Sequence, residues 1–281
     1  MKKRQITIAL ATLCWTTYAL SQTDDNVLRI NFKGTDNPIE TEHWLEGVHI
    51  TFSNDGEQMN LNVNNATATY PLDHVSGMSH FNGTPQVNIP VYEDLGKPGH
   101  FYSTFYSGLE AYALPSDVKA YRATFNDRGD FILLTHIEGD VLPQGEAVLL
   151  YRETGGNVSM QVVPPSSVMK TDGNQLRGVD VQTAQTSGNK YFKFSYAQHG
   201  LGFYRMDDDE MLAANKAFIS LPASTQVPSC IGLIFEEETA IDKINESTSQ
   251  QAGEIYNLSG QRIGRMQRGV NIVNGKKVVI P

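Results

Sequence analysis

Val48-His-Ile-Thr-Phe52, Asn54-Asp-Gly56 and Met59-Asn-Leu-Asn-Val63 decide the fold class of this chain. Val48, Ile50 and Phe52 fall on one face of an extended segment. Met59, Leu61 and Val63 do the same, with Asn60, Asn62 and Asn64 opposite them. Side chains alternate across a strand, so an apolar period of two is the signature of a half-buried β-strand. Asn-Asp-Gly between two such runs is hairpin punctuation, because these residues tolerate positive φ. Working outward, Leu28, Ile30 and Phe32 alternate within Val27 to Phe32, and Tyr70-Pro-Leu72 and Val75 to Phe81 complete a small antiparallel sheet spanning residues 22–82. One face of such a sheet is apolar and needs a cover, from its own loops or from the next domain.

A Pro- and Gly-containing stretch, residues 83–99, is expected to connect this unit to a larger one at 100–236. There the strand candidates are short and closely spaced: Phe101 to Ser107, Ala120 to Phe125, Phe131 to Ile137, Ala147 to Tyr151, Val158 to Val163, Tyr191 to Tyr196, Leu201 to Tyr204, Lys216 to Leu221 and Cys230 to Phe235. That spacing predicts a β-sandwich or an irregular barrel. Pro115-Ser-Asp and Pro143-Gln-Gly supply turns. Asn174 to Asn189 lacks an apolar period and reads as a surface loop, while Met206 to Lys216 is long enough for a short helix. The expected fold is all-β, with the N-terminal sheet, the larger sandwich and a C-terminal hairpin tail.

The two ends of the chain carry addresses. Met1-Lys-Lys-Arg is a positive n-region and Ile6 to Trp15 an apolar stretch too short to span a bilayer. Ala19 and Ser21 are the small residues a signal peptidase reads, so residues 1–21 are expected to be removed and Gln22 to become the N-terminus. Leu13 before Cys14 is bulky where lipidation requires a small residue. No other run reaches the roughly 18 apolar residues of a membrane span, so the exported chain is expected to be soluble. It would carry Cys230 alone, in the apolar run Cys-Ile-Gly-Leu-Ile-Phe, where a free cysteine packs as a small hydrophobe.

Charge divides the chain again. Loss of Lys2, Lys3 and Arg4 takes the formal net charge from −9 to −12. From Glu254 onward five basic residues face one acidic, a net of +4, which leaves −16 on residues 22–253. An acidic body repels phosphate backbones and argues against nucleic acid as a partner. Residues 237–253 are polar, with few large apolar side chains, and read as a linker. Beyond it, in residues 254–281, Asn274-Gly275 sits between Val270, Ile272 and Val278, Ile280, the pattern of a hairpin with a type I′ turn.

Chemical motifs are sparse. Asp207-Asp-Asp-Glu210 is the densest acidic cluster, yet it lacks the alternating ligands and the glycine of a calcium loop and reads as a solvated turn. The seven histidines never fall in a His-x-x-x-His or His-x-His pair. There is no Gly-x-Ser-x-Gly elbow and no phosphate-binding glycine loop, so no cofactor is expected. The aromatic run Phe101, Tyr102, Phe105, Tyr106 places its tyrosines on one strand face and its phenylalanines on the other. Burial on both faces is the expectation. The alternative is a ligand-binding platform of Tyr102 and Tyr106, joined by Tyr121 and Tyr204, presenting flat rings to a sugar.

Several segments together resemble secreted β-rich proteins of Bacteroidetes-type bacteria: Tyr70-Pro-Leu-Asp-His-Val75, His100-Phe-Tyr-Ser-Thr-Phe-Tyr, Pro143-Gln-Gly-Glu-Ala-Val-Leu-Leu, Gly200-Leu-Gly-Phe-Tyr and Ala214-Asn-Lys-Ala-Phe. The tail resembles the C-terminal sorting domain read by the type IX secretion system. The residues that carry this likeness are Tyr256, Leu258, Gly260 and Arg262, then Gly269, then Asn274, Gly275, Lys276 and Lys277, with Val270-Asn271 where an aromatic usually follows the glycine. That resemblance implies engagement of the secretion machinery, passage across both membranes, and release or attachment at the cell surface. The function expected is a non-catalytic surface or matrix interaction protein with a glycan or a host protein as ligand. The alternative is a secreted hydrolase whose site is assembled from distant positions.

Overall fold

The computed structural model describes residues 25–33, 40–125, 131–164, 173–236, 255–257, 261–263, 269–273 and 276–280. The expected cleavage site at Ala19, Ser21 and Gln22, the linker at 237–253, and Leu258, Gly260, Asn274 and Gly275 of the tail lie outside them. Among the described residues every regular element is a strand, and the fold is all-β. The chain divides into two compact units, one running to Leu233 and the other from Ile234 to Pro281.

The first unit opens with β1 (Val27–Phe32), β2 (Thr41–Trp44), β3 (His49–Phe52), β4 (Gln58–Val63), β5 (Ala66–Pro71) and β6 (Val75–Phe81). In place of one amphipathic sheet they make two three-stranded sheets, β2-β1-β6 and β3-β4-β5. Each supplies the cover the other needs: Leu28 and Ile30 cluster with Met59, Leu61, Val63 and Tyr70, and Leu109 and Val181 from later in the chain join them. The asparagine face of β4 is polar as expected. Thr69 donates to Asn60 Oδ1 (2.7 Å) and Thr67 to Asn62 Oδ1 (2.6 Å) across the ladder. The β4–β5 connection is the two-residue turn Asn64-Asn65, with φ of 49° and 64°. Asparagine is the side-chain-bearing residue best suited to that left-handed pair.

The stretch 83–99 carries structure of its own, β7 (Gln86–Pro90) and β8 (Tyr92–Glu93). The body continues with β9 (Phe101–Phe105), β10 (Ala111–Ala113), β11 (Lys119–Phe125), β12 (Phe131–His136), β13 (Val141–Leu142), β14 (Val148–Arg152), β15 (Asn157–Val163), β16 (Leu176–Gly178), β17 (Asn189–Ala197), β18 (Gly200–Arg205), β19 (Ala217–Pro222) and β20 (Cys230–Phe235). A four-stranded sheet, β13-β10-β15-β7, packs on the β9, β14 and β11 part of a ten-stranded sheet ordered β16-β19-β17-β18-β20-β12-β11-β14-β9-β8. Val87, Ile89, Met160 and Leu142 of the first meet Phe105, Ala120, Val148 and Leu150 of the second, which is sandwich packing; among the described residues no barrel closes.

Two local expectations change. The segment Met206 to Lys216 forms no helix: Asp207 to Glu210 make a turn closed by Glu210 N donating to Asp207 O (3.1 Å), and Leu212 bridges to Thr183. Successive aspartates repel one another and favour turns, and Asn215 at φ 54° leaves helical geometry altogether. The expected loop Asn174 to Asn189 contains β16, whose Leu176 is buried and pairs with Ile219. Three residues are too few to show a period.

The second unit is a four-stranded antiparallel sheet of β21 (Ile255–Asn257), β22 (Arg262–Ile263), β23 (Gly269–Val273) and β24 (Lys276–Ile280), ordered β22-β21-β23-β24. It contains the expected hairpin as β23–β24, whose register pairs Val273 with Lys276. Tyr256 pairs with Arg262, and Gln261 N donates to Asn257 Oδ1 (2.9 Å) across the connection.

Candidate functional site

Strand β9 is buried on both sides. Phe105 joins the sandwich core, while Tyr102 packs at a tilt against Tyr151 (5.1 Å between ring centroids) and Phe194 of β17 (6.4 Å). The ten-stranded sheet therefore curls until β9 approaches β17 and β19. Its last strand, β8, pairs only with Phe101 and Tyr102. Beyond that point Asn215 and Lys216, leading into β19, meet the edge of β9. Tyr106 N donates to Asn215 O (3.2 Å), Asn215 Nδ2 donates to Tyr106 O (3.2 Å), and Lys216 Nζ donates to Ser103 Oγ (3.1 Å). The buried Asn215 tolerates left-handed backbone, accepts through its backbone carbonyl and donates through its side-chain Nδ2, which suits this junction.

The curl leaves a cavity of about 210 Å³ between β8–β9 on one side and β17, β19 and the 206–213 segment on the other. Its walls are mostly apolar, with Phe194, Met206, Leu212 and Phe218 prominent, and Ser103 and Thr104 add hydroxyls. Its ionisable residues are Tyr92, Lys193, Glu210 and Lys216. Lys193 and Glu210 form an ion pair. Lys216 is half-buried, and burial pulls its amine from 10.5 down to about 8, because a low-dielectric wall disfavours the charged form. Tyr92 and Met211, with 65% and 42% of their surface exposed, stand where the cavity meets solvent. Leu95 (69%) and Tyr196 (41%) belong to the same region: Leu95 tips the turn Asp94–Lys97, and the Tyr196 hydroxyl lies over Gly96, 3.9 Å from where a Cβ would sit.

The tyrosines singled out from the sequence are not gathered on this surface. Tyr102 and Tyr121 are buried, at 4% and 2% exposure, and Tyr121 packs on His136 (5.6 Å). Tyr106 lies half-buried against Gly108 and Gly178. Tyr204 donates its hydroxyl to Gly200 O (2.6 Å) and accepts from His199 N (3.1 Å), closing the β17–β18 turn. In the acidic cluster, Asp208 pairs with Arg205 (3.1 Å), and Gln185 Nε2 donates to the Asp207 and Glu210 carbonyls (2.6 and 2.8 Å). Cys230 is half-buried in β20 beside Gly202. In the second unit, Tyr256 and Arg262 lie on β21 and β22, Gly269 opens β23, and Lys276 and Lys277 open β24.

A second polar assembly is buried where the N-terminal sheets join the body. His43 Nδ1 donates to Glu110 Oε1 (2.8 Å), and Asn64 Nδ2 donates to Glu110 Oε2 (2.8 Å); the His43 and Glu110 side chains are each 2% exposed. Nearby, Glu42 accepts from Arg29 and from Gln86 N (2.9 Å). Burial raises the Asp180 carboxyl above its ordinary value, against the opposing pull of the Gly108 N–H, at 2.7 Å, and of His43. It raises the Tyr112 hydroxyl too, with the Glu110 charge adding to the effect. These groups tie β2, β4, β7 and the 107–110 turn together. Glu42, His43 and Glu110 are buried at the centre of the assembly while Arg29 and Asn64 reach the surface, and the bonds give the assembly a structural role.

Comparison with family models, with curated proteins and with solved structures returns no match.

Proposed function

We propose that the chain is an exported, non-catalytic interaction protein of the cell surface or matrix, and that its recognition surface is the rim of the β8–β9/β17–β19 cavity. The observation that carries this reading is the exposure of Tyr92 and Met211 on the lining of one concavity, with Leu95 and Tyr196, also left in solvent, at the adjoining turn Asp94–Lys97. Singly exposed hydrophobes are ordinary, whereas a group of them beside a cavity marks an interaction site. Tyrosine suits glycan and protein ligands alike, offering a flat apolar face and a polar tip at little entropic cost. Delivery falls to the C-terminal unit, on the resemblance to a type IX sorting domain and the separate fold of residues 234–281.

Screening the full chain on glycan and host-matrix arrays tests the rim. Tyr92→Ala and Tyr196→Ala should each abolish or strongly weaken every positive signal, and undiminished binding by both variants would overturn this placement.

A secreted hydrolase is the second reading, favoured by one contact. Ser103 Oγ lies 3.1 Å from an amine whose pKa burial has lowered, the arrangement in which lysine serves a serine nucleophile as general base. Labelling of Ser103 by a fluorophosphonate probe, lost in Lys216→Met, would decide for the hydrolase.

A further inference from the structure

The Lys216 amine stands out once the cavity's charges are paired off. Among the ionisable residues lining the cavity, Lys193 and Glu210 are paired with each other. Lys216 has Ser103 Oγ as its hydrogen-bond partner and no carboxylate partner among the described residues. An ammonium carries three donors, so two remain for a ligand. It sits against Phe194, Met206, Leu212, Ala217 and Phe218, walls that make an isolated charge costly and a counter-charge correspondingly welcome.

We propose that this cavity binds a small apolar carboxylic acid, its carboxylate on Lys216 Nζ and its aryl or alkyl body against the Phe194, Met206, Leu212 and Phe218 walls. Size limits the ligand: about 210 Å³ is below the roughly 300 Å³ at which sites for drug-sized molecules begin, so one ring or a short chain fits and a polymer does not. Charge limits it as well. One ammonium beside one hydroxyl matches a monoanion, whereas a phosphate dianion calls for forked donors or several backbone N–H groups. The walls exclude a free sugar from the cavity floor, since most of its hydroxyls would be buried without partners. Entry is through the mouth at Tyr92 and Met211.

The site is independent of the rim reading, because a neutral or macromolecular ligand on Tyr92 and Tyr196 need not enter the cavity. The test is calorimetric titration of the full chain with 3-phenylpropionate and its neutral counterpart 3-phenylpropanol. At pH 7 the acid should bind at least roughly tenfold more tightly, and Lys216→Met should erase the difference. The acid's affinity should be level below pH 7 and decline as pH rises past about 8, where the free amine loses its proton. That pH series needs no variant, so it holds if Lys216→Met fails to fold. Equal binding of acid and alcohol, binding of neither, a preference that survives in Lys216→Met, or an affinity level to pH 10 would each overturn the proposal.

Discussion

Replacing Glu110 by alanine should be among the most damaging single substitutions outside the apolar cores. Its carboxylate receives His43 Nδ1 and Asn64 Nδ2, both at 2.8 Å, in a region 2% exposed at both ends of the His43–Glu110 pair. Alanine leaves the buried His43 donor and the exposed Asn64 amide without their acceptor, at about 1–3 kcal/mol for the first and about 1 kcal/mol for the second, about 2–4 kcal/mol in all. For a unit of this size each kcal/mol moves the melting temperature by roughly 2–4 °C, so Glu110→Ala should melt about 4–16 °C below the unaltered chain by calorimetry. Glu110→Gln keeps one acceptor and should lose about half as much. The double variant His43→Phe/Glu110→Leu removes both polar partners together and should recover much of the loss, since the cost lies in stranding a partner rather than in lacking the pair. A Glu110→Ala protein that melts within two degrees of the original would refute the assignment of this network as the tie between the N-terminal sheets and the body.

Lys216→Met should stabilise the protein at neutral pH, by roughly 1–3 kcal/mol once its partial exposure is allowed for. The sign follows from the lowered pKa: the folded state binds fewer protons than the unfolded one between about 8 and 10.5, so the unaltered chain should gain stability as pH rises through that window. Denaturant titrations at pH 7 and pH 10 should show that gain, and show it absent in the variant. Gly178→Ala would place a Cβ 2.1 Å from Tyr106 Cγ and 2.2 Å from its Cβ, at the root of a side chain that cannot swing aside. A loss of about 1–3 kcal/mol or more, read from thermal melting, is expected, and Tyr106→Ala should relieve the clash in the double variant. A chain ending at Gly253 should keep the melting temperature of the body and fail to reach the surface of its native host. A drop of ten degrees, or undiminished delivery, would count against the tail as a separate address.

The strands were legible where the chain is amphipathic. Val27 to Phe32, Met59 to Val63 and Val158 to Val163 alternate because one face of each meets a core, and all three are strands. The asparagines of β4 announced their exposed ladder. Legibility failed for short pieces, such as β10, β13 and β16 at two or three residues each, whose pairing is set by the strand beside them. It failed for Met206 to Lys216 too, where a chain held by tertiary bonds at Leu212 and Asn215 is left no freedom to wind.

The candidate site was not legible at all. Burial on both faces was the expectation for the Phe101–Tyr106 run and a tyrosine platform the alternative; spacing could not choose between them, because burial depends on what packs across the sheet, and Phe194 packs on Tyr102 and His136 on Tyr121. Ser103 and Lys216 are 113 residues apart and meet only because the ten-stranded sheet curls back on itself. Alternation along the chain is a local property, written in the order of residues, and so composition and period alone determined that this protein is all-β. Which strand sits beside which is a matter of long-range packing, and it alone decided that Lys216, Phe194 and Tyr92 would share one cavity.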